Sequence, residues 1–392
     1  MPQRAQRFFF LQVLCAVCVG LALSPASAGA AGLTSPEPLV KAYELILAAR
    51  FDEAERQLKS VCPPAPQPAC DVIAAVNGYW RLLVNPEDTT GDTALMNQIN
   101  AAIASGETWV AKEPKRAEAW FYLGGAYGTR VLLRGLRGQY LSAARDGKRI
   151  HDSLQLTIKM DPALGDAYFG LGLYHYYAAI APRAARLIAM LMFLPGGDRE
   201  GGLREMEEAR TKGVLMRGEA DYQLHLIYLW YERQHTTALR LIEGLRDRYP
   251  HNPVFHLRLA DVQGNYIRNH QAALQTYRSM LEGAQTGRIA MSGISEVHAR
   301  LGVAQELDAL CDSGGAIEQL NAVIARKPVA PYAALARAYY QLGVVHDRSG
   351  RRSDAVAAYE RAQRETPRDD RLELNQKLRA AMKRPPATRV CR

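Results

Sequence analysis

The six cysteines are the side chains of this chain with the clearest potential for covalent chemistry. Cys15 and Cys18 have the C-x-x-C spacing of a redox pair, but they lie inside an apolar run near the N-terminus. Cys62 and Cys70 flank a proline-rich segment, residues 63–69, which we expect to be a loop between two helices. Disulfides form in exported chains, and one that closes so short a loop would contribute about 2–3 kcal/mol in the chain-entropy model. We therefore predict a Cys62–Cys70 disulfide.

Two cysteines remain beyond that pair. Cys311 and Cys391 are the only other pairing partners left, and the sequence leaves open whether they bond. A zinc site is the alternative for all four cysteines, but the two pairs are far apart and no His lies beside either at finger spacing. We therefore predict no metal site.

Catalytic motifs are absent from the sequence. It contains no Gly-x-Ser-x-Gly, no Ser-x-x-Lys, no His-Glu-x-x-His and no glycine-rich dinucleotide loop. The nine His residues are scattered, and acidic pairs such as Glu207 and Glu208 fall on faces that we expect to be exposed. The sequence therefore predicts no catalytic residues, no cofactor and no enzymatic activity. A hydrolase whose site is built from unconnected residues is the weakest alternative.

Arginine side chains form the clearest charge pattern. Arg130, Arg134 and Arg137 recur at i, i+4 and i+7, which places them on one face of a helix. This basic patch would suit an acidic partner or an anionic membrane surface, whereas the plainer interpretation is a solvated helix extension. The formal net charge is +9, yet the basic residues are spread out and are not interleaved with aromatics. We therefore predict no nucleic-acid partner.

The helices that position these residues follow a repeat. Its last copy spans residues 339–367 and is marked by Tyr339, Leu342, Gly343, Ala355, Tyr359, Ala362 and Pro367. These offsets resemble the tetratricopeptide repeat, a helix–turn–helix unit of about 34 residues. Five further units begin near Trp120, Tyr168, Tyr222, Leu259 and Leu301. The resemblance implies an all-α, right-handed superhelical solenoid, here of seven or eight hairpins, ending in a C-terminal capping helix.

The chain divides into four segments. Residues 1–31 have the basic start, apolar run and small-residue exit of a secretory signal peptide, with cleavage near Ala28 and an uncleaved anchor as the alternative. This predicts export to the periplasm or cell envelope. Residues 32–114 read as degenerate helical hairpins, residues 115–367 as the solenoid, and residues 368–392 as the capping helix and a basic tail.

One repeat carries a methionine-rich insertion at about residues 178–195. Its apolar run, residues 187–194, is too short to span a membrane. Three interpretations are open for it. The segment extends the core helices, forms an adaptable contact surface for a partner, or lies in a membrane interface with Arg183 and Arg186 at the headgroups.

The family resemblance also implies a binding surface. Positions on the first helix of each hairpin line the concave groove and select Phe169, Tyr176, Tyr177, Gln223, Trp230, Tyr231, Asn265, Tyr340 and Arg348. The same mapping includes Ile227, Asp261, Glu296 and Arg337. The family's carboxylate-binding Asn is not matched, since Leu173 and Ile227 occupy its position.

These features together predict a non-catalytic, exported scaffold that holds a protein or peptide in its groove. An alternative is a peripheral membrane or envelope adaptor that uses the basic patch and the methionine-rich insertion. The sharpest expectation is that Tyr176, Tyr177, Trp230 and Tyr231, at equivalent positions of adjacent repeats, form one aromatic patch that anchors the partner.

Overall fold

A computed structural model describes residues 32–388, apart from residues 184, 185, 188, 189, 191 and 192. The predicted signal peptide therefore lies outside the described residues, and so does Cys391.

Within that range the chain forms seventeen α-helices and no strand, which confirms the all-α prediction. The helices are α1 (Pro36–Leu47), α2 (Phe51–Val61), α3 (Gln67–Leu82), α4 (Asp92–Lys112), α5 (Ala117–Leu136), α6 (Tyr140–Met160), α7 (Ala167–Ile180), α8 (Arg199–Lys212), α9 (Arg217–Trp230), α10 (His235–Arg248), α11 (Pro253–Asp261), α12 (His270–Gln285), α13 (Ser292–Ala309), α14 (Ser313–Arg326), α15 (Ala334–Arg348), α16 (Arg352–Glu365) and α17 (Leu374–Lys383). A π-helical turn, Val262–Tyr266, continues α11. None of these described helices has both the length and the apolar character of a membrane span.

Consecutive helices pack as hairpins, from α1 with α2 to α15 with α16, and each hairpin stacks on the next. Small residues make this packing close. A Cβ on Gly172 of α7 would lie 2.6 Å from the backbone oxygen of Gly202 and 2.9 Å from Met206 Cγ, both on α8. Any larger residue would push the two helices apart. The handedness of the stack stays a prediction.

The last helix, α17, packs against α15 and α16. Leu378 and Ala381 of α17 join a core cluster with Ala355 and Tyr359 of α16. Its remaining positions are mostly exposed or partly exposed, as the outer face of a terminal element requires. These contacts are consistent with a capping role for α17, which stays a prediction.

Both helices of the repeat that begins near Trp120 are long. Helix α5 has 20 residues and α6 has 21. The helical hydrogen-bond ladder continues through each because none of their residues is a proline, and Gly138, with φ 70°, makes the tight turn between the helices.

The predicted disulfide is present between α2 and α3. Cys62 and Cys70 are bonded, with their Cα atoms 6.6 Å apart. The bond closes the proline-rich loop and ties the first hairpin to the second. The question of whether Cys311 bonds to Cys391 stays open, because Cys391 lies outside the described residues.

Candidate functional site

The N-terminal helices occupy part of the surface that was expected to form an open groove. Trp80 of α3 is fully buried, and its ring centroid lies 4.9 Å from that of Tyr222 on α9 and 5.6 Å from that of Phe255 on α11. Trp80 Nε1 and Tyr43 OH both donate hydrogen bonds to Glu219 Oε2, at 3.0 Å and 3.1 Å. Helices α1 and α3 of the first hairpins therefore pack against α9 and α11, which lie much later in the chain.

This arrangement corrects one predicted groove residue. Gln223 of α9 is buried, with 5% of its surface exposed, and its side chain hydrogen-bonds to Glu219. A partner lying along the groove would have to displace α1 and α3 to reach it. Sequence patterns did not reveal this, because nothing in the hairpin of α1 and α2 specifies which distant repeat it contacts.

Beyond the buried part, an open cavity of about 760 Å³ remains on the inner side of the C-terminal repeats. Its walls come from α11 and the π-helical turn, from α13, α15 and the start of α17, and from residues 83–87 of the loop after α3. Three predicted groove residues, Asn265, Tyr340 and Arg348, line this cavity together. The sequence mapping thus selected residues of distant repeats that lie close together in the structure.

The cavity carries an excess of positive charge. Five cationic side chains and three acidic ones line it: Arg258, Arg268, Arg337, Arg348 and Lys377 against Glu87, Glu306 and Asp308. Two of the acids are already paired, Asp308 with Arg348 and Glu306 with His270, whose Nδ1 lies 2.7 Å from the carboxylate oxygen. The charges that remain are mostly those of arginines.

Arg258 and Arg337 are the notable cations. Neither has a carboxylate within ion-pair distance among the described residues. Burial lowers the pKa of Arg337, and the charges of Glu87 and Tyr277 only partly oppose that effect. Burial also lowers the pKa of His298 to about 3, with Arg337 as a further cause, so His298 is neutral at physiological pH. The mapping from the repeat included Arg337 but missed Arg258, which precedes Asp261 by three residues on the same helical face.

A loop from the N-terminal part closes one side of this cavity. Val84 O accepts a hydrogen bond from His298 Nε2 at 3.1 Å, and Asn85 Oδ1 accepts one from the backbone N–H of Tyr332 at 2.9 Å. The backbone oxygen of Glu87 accepts another from Arg371 Nη1 at 2.6 Å. We call residues 83–87 the closing loop. The closing loop therefore connects the second hairpin to α13 and to the segments that precede α15 and α17.

The four predicted aromatic anchors separate into different environments. Tyr176 is fully buried and its hydroxyl donates to Glu232 Oε1 at 2.6 Å, so it is a packing residue. Tyr177 and Tyr231 are 37% and 50% exposed, and their ring centroids lie 5.7 Å apart. Trp230 is 45% exposed and lies under the guanidinium of Arg258, at 5.9 Å from the ring centroid. Three of the four are therefore accessible to a partner.

Phe169, on α7, is only partly exposed, and no described aromatic ring stacks on it. It lies seven residues before Tyr176 on the same helix, and it is not part of the cavity lining.

The basic patch differs from the free surface that the sequence suggested. Arg130 makes a two-pronged pair with Asp146, at 2.8 Å and 2.7 Å, and Arg134 pairs with the same carboxylate. Arg137 pairs in the same way with Asp92, at 2.5 Å and 2.8 Å. All three side chains are largely buried. These arginines join α5 to α6 and α4, so their charges are not available to a membrane or an acidic partner.

The methionine-rich insertion presents apolar side chains to solvent. Leu187, Met190 and Phe193 are 56%, 64% and 87% exposed, and Arg183 and Arg186 are exposed beside them. The interpretation of this segment as a core extension is therefore wrong for these three residues. After this segment, Asp198 caps α8, since its side chain accepts a hydrogen bond from the backbone N–H of Gly201 at 2.9 Å.

Comparisons with known proteins find likeness in structure only. No family model matches the chain, and no curated protein matches it. The human IFIT1 dimer with PPP-AAAA resembles it with a TM-score of 0.42 and 14% identity, over 90% of this chain and 87% of that one. Yeast Tom70 resembles it with a TM-score of 0.39 and 12% identity, over 88% and 82% of the two chains. The packing of consecutive hairpins makes the described part of the chain an all-α solenoid, and the spacing of its repeat resembles that of the tetratricopeptide family.

Proposed function

We propose that the protein is an exported, non-catalytic scaffold that binds a protein or peptide partner. The observation that carries this proposal is the exposed ring pair of Tyr177 and Tyr231 at the C-terminal ends of α7 and α9, with the ring of Trp230, the residue before Tyr231, also exposed. Tyr and Trp are favoured anchors because they bury a large area at low entropy cost and keep a polar group at one end.

The partner's position follows from the occupied groove. Because α1 and α3 fill the inner face at Glu219 and Tyr222, an extended partner cannot run along the whole concave surface. Contact at the aromatic surface, beside the open cavity, leaves the fold undisturbed. Export is part of the proposal, and its support is the signal-peptide pattern of residues 1–31.

The partner is first captured from an envelope extract under mild cross-linking, and variants of the scaffold then test the surface. Trp230→Ala should weaken binding by about 2 kcal/mol or more, as hot-spot aromatics do. Its thermal midpoint should fall little, because the side chain is half exposed. Tyr140→Ala is the matched control, since Tyr140 is an exposed aromatic on α6. Unchanged affinity in a folded Trp230→Ala variant would remove Trp230 from the site.

A second function is favoured by the exposed insertion. Leu187, Met190 and Phe193, together with Arg183 and Arg186, have the composition of a segment that lies in an anionic membrane interface. We propose this peripheral attachment as the alternative, without the basic patch. Flotation with vesicles of anionic lipid tests it. Phe193→Glu should abolish flotation if the segment inserts, and flotation that survives this change would reject the insertion as the contact.

A further inference from the structure

The cavity has the size of a small-molecule site. At about 760 Å³ it falls within the range of roughly 300–1,000 Å³ that pockets for small ligands occupy. The closing loop bounds it on one side, through the hydrogen bonds from His298 to Val84 and from Tyr332 to Asn85. A small molecule is therefore the occupant that its volume suits.

Two arginines line this cavity, and their surroundings compensate their charges to different degrees. Burial lowers the pKa of Arg258, but the charge and hydrogen bond of Tyr222 and the charges of Asp261 and Glu87 raise it overall, whereas burial lowers the pKa of Arg337. Arg258 and Arg337 lie on α11 and α15, and neither forms an ion pair with a described carboxylate. Withdrawing a guanidinium from water is costly unless an anion compensates it. The fold places two such groups in one cavity, and arginine is the residue best suited to bind carboxylate or phosphate with two parallel hydrogen bonds.

Glu87 of the closing loop is the one remaining acid among the described lining residues. Its charge acts on both Arg258 and Arg337, although it reaches neither within ion-pair distance. Its position is fixed through its backbone oxygen, which accepts from Arg371 at 2.6 Å. The carboxylate of Glu87 thus partly balances the two guanidinium charges at longer range.

We propose that the cavity binds a small organic anion, whose carboxylate or phosphate group is taken by Arg258 and Arg337. Glu87 opposes this binding, because it competes for the same two guanidinium groups. The proposal goes beyond the scaffold function and does not depend on it, since the ligand is a small molecule and the aromatic partner surface lies outside the cavity.

Trp230 provides an optical signal for the test. Its ring lies under the guanidinium of Arg258, whereas Trp80 is fully buried away from solvent. An anion that draws Arg258 toward itself should change the fluorescence of Trp230. Trp230→Phe should remove the optical change, which would assign the signal to this ring.

The experiment titrates the purified mature protein with citrate and, separately, with inorganic phosphate, by calorimetry and by fluorescence. The first probe represents carboxylates and the second represents phosphates, so the tighter of the two identifies the chemical group. Arg258→Gln and Arg337→Gln should each weaken that binding about tenfold or more, as expected for loss of a charge-assisted hydrogen bond. Glu87→Gln should tighten it.

Arg364→Gln is the matched control, because Arg364 is an exposed arginine of α16 outside the cavity. Circular dichroism of each variant confirms that the fold is kept. The proposal is overturned if neither probe binds, or if binding is the same in folded Arg258→Gln and Arg337→Gln proteins. It is overturned too if Glu87→Gln weakens binding. Capture of the protein partner is measured separately, so either proposal can fail alone.

Discussion

Glu219 is a buried carboxyl group that connects elements far apart in sequence. It accepts hydrogen bonds from Tyr43 of α1 and Trp80 of α3, which lie 176 and 139 residues away. Burial raises its pKa above the ordinary value of 4.5, and the hydrogen bonds from Trp80, Tyr43 and Gln223 only partly oppose this. The folded protein therefore holds a proton on Glu219 to a higher pH than the unfolded chain does.

This pKa shift predicts how stability depends on pH. Because the folded state binds the extra proton, the contribution of Glu219 is fully present below pH 4.5 and is lost as pH rises through the raised pKa. Glu219→Gln keeps the shape and an acceptor but cannot ionise. We therefore expect the unfolding free energy of the variant to fall less than that of the native protein as pH increases.

Urea unfolding at about pH 5, 6, 7 and 8 measures this difference in slope. Glu200→Gln, which removes an exposed carboxylate of α8, controls for the loss of one charge. Parallel curves for the native protein and Glu219→Gln would show that Glu219 has the same affinity for protons in both states, and the assignment would be wrong.

At the scale of elements, the disulfide stabilises the junction of α2 and α3. The bond joins residues eight apart, and a loop of this length restricts the unfolded chain by about 2.5 kcal/mol in the chain-entropy model. The double substitution of Cys62 and Cys70 by Ser should lower the unfolding free energy by about that amount. Because α3 also carries Trp80, loss of the bond should weaken the contact between Trp80 and Tyr222 of α9 as well as the loop.

The measurement compares urea unfolding of the oxidised protein with that of the double variant and of the reduced native protein. The variant and the reduced protein should agree with each other. Peptide mapping without reduction provides the covalent check. Equal stability of all three proteins would mean that the bond does not restrict the unfolded chain as the chain-entropy model requires.

Across the whole molecule, contacts between distant repeats change what is expected of a solenoid. Repeats normally contact only their neighbours, so unfolding can proceed in parts. Here Asn252 Nδ2 donates to Leu47 O at 2.8 Å across 205 residues, and the closing loop reaches Tyr332 across 247. We therefore expect a single cooperative transition, in which far-UV circular dichroism and tryptophan fluorescence give the same midpoint.

Trp80→Ala tests this coupling. It removes the fully buried ring between Tyr222 and Phe255, and we expect a loss of about 3–5 kcal/mol, as for other large core truncations. Both probes should shift together. Trp120→Ala is the comparison, because Trp120 is only partly buried on α5. Two separate transitions in the native protein would show that the N-terminal hairpins and the C-terminal repeats unfold independently.

The sequence alone determined the helices and the way consecutive helices pair. Gly and Ala at the crossings, proline at the ends of hairpins and Asp198 at the start of α8 act on neighbouring residues, so their effect can be read locally. The spacing of the repeat also selected Asn265, Tyr340 and Arg348, which do line one cavity, because a regular stack repeats its geometry from unit to unit.

Only the tertiary structure decided which surfaces stay open and which charges stay unpaired. The sequence predicted a basic patch at Arg130 and Arg134, but in the structure α6 places Asp146 against both of them. The sequence predicted Gln223 as a groove residue, but in the structure α1 and α3 cover this part of α9. Packing between distant segments depends on the shape of the whole stack, and periodicity carries no information about it. The same packing places Arg258 and Arg337 in the lining of one cavity, where neither forms an ion pair with a described carboxylate.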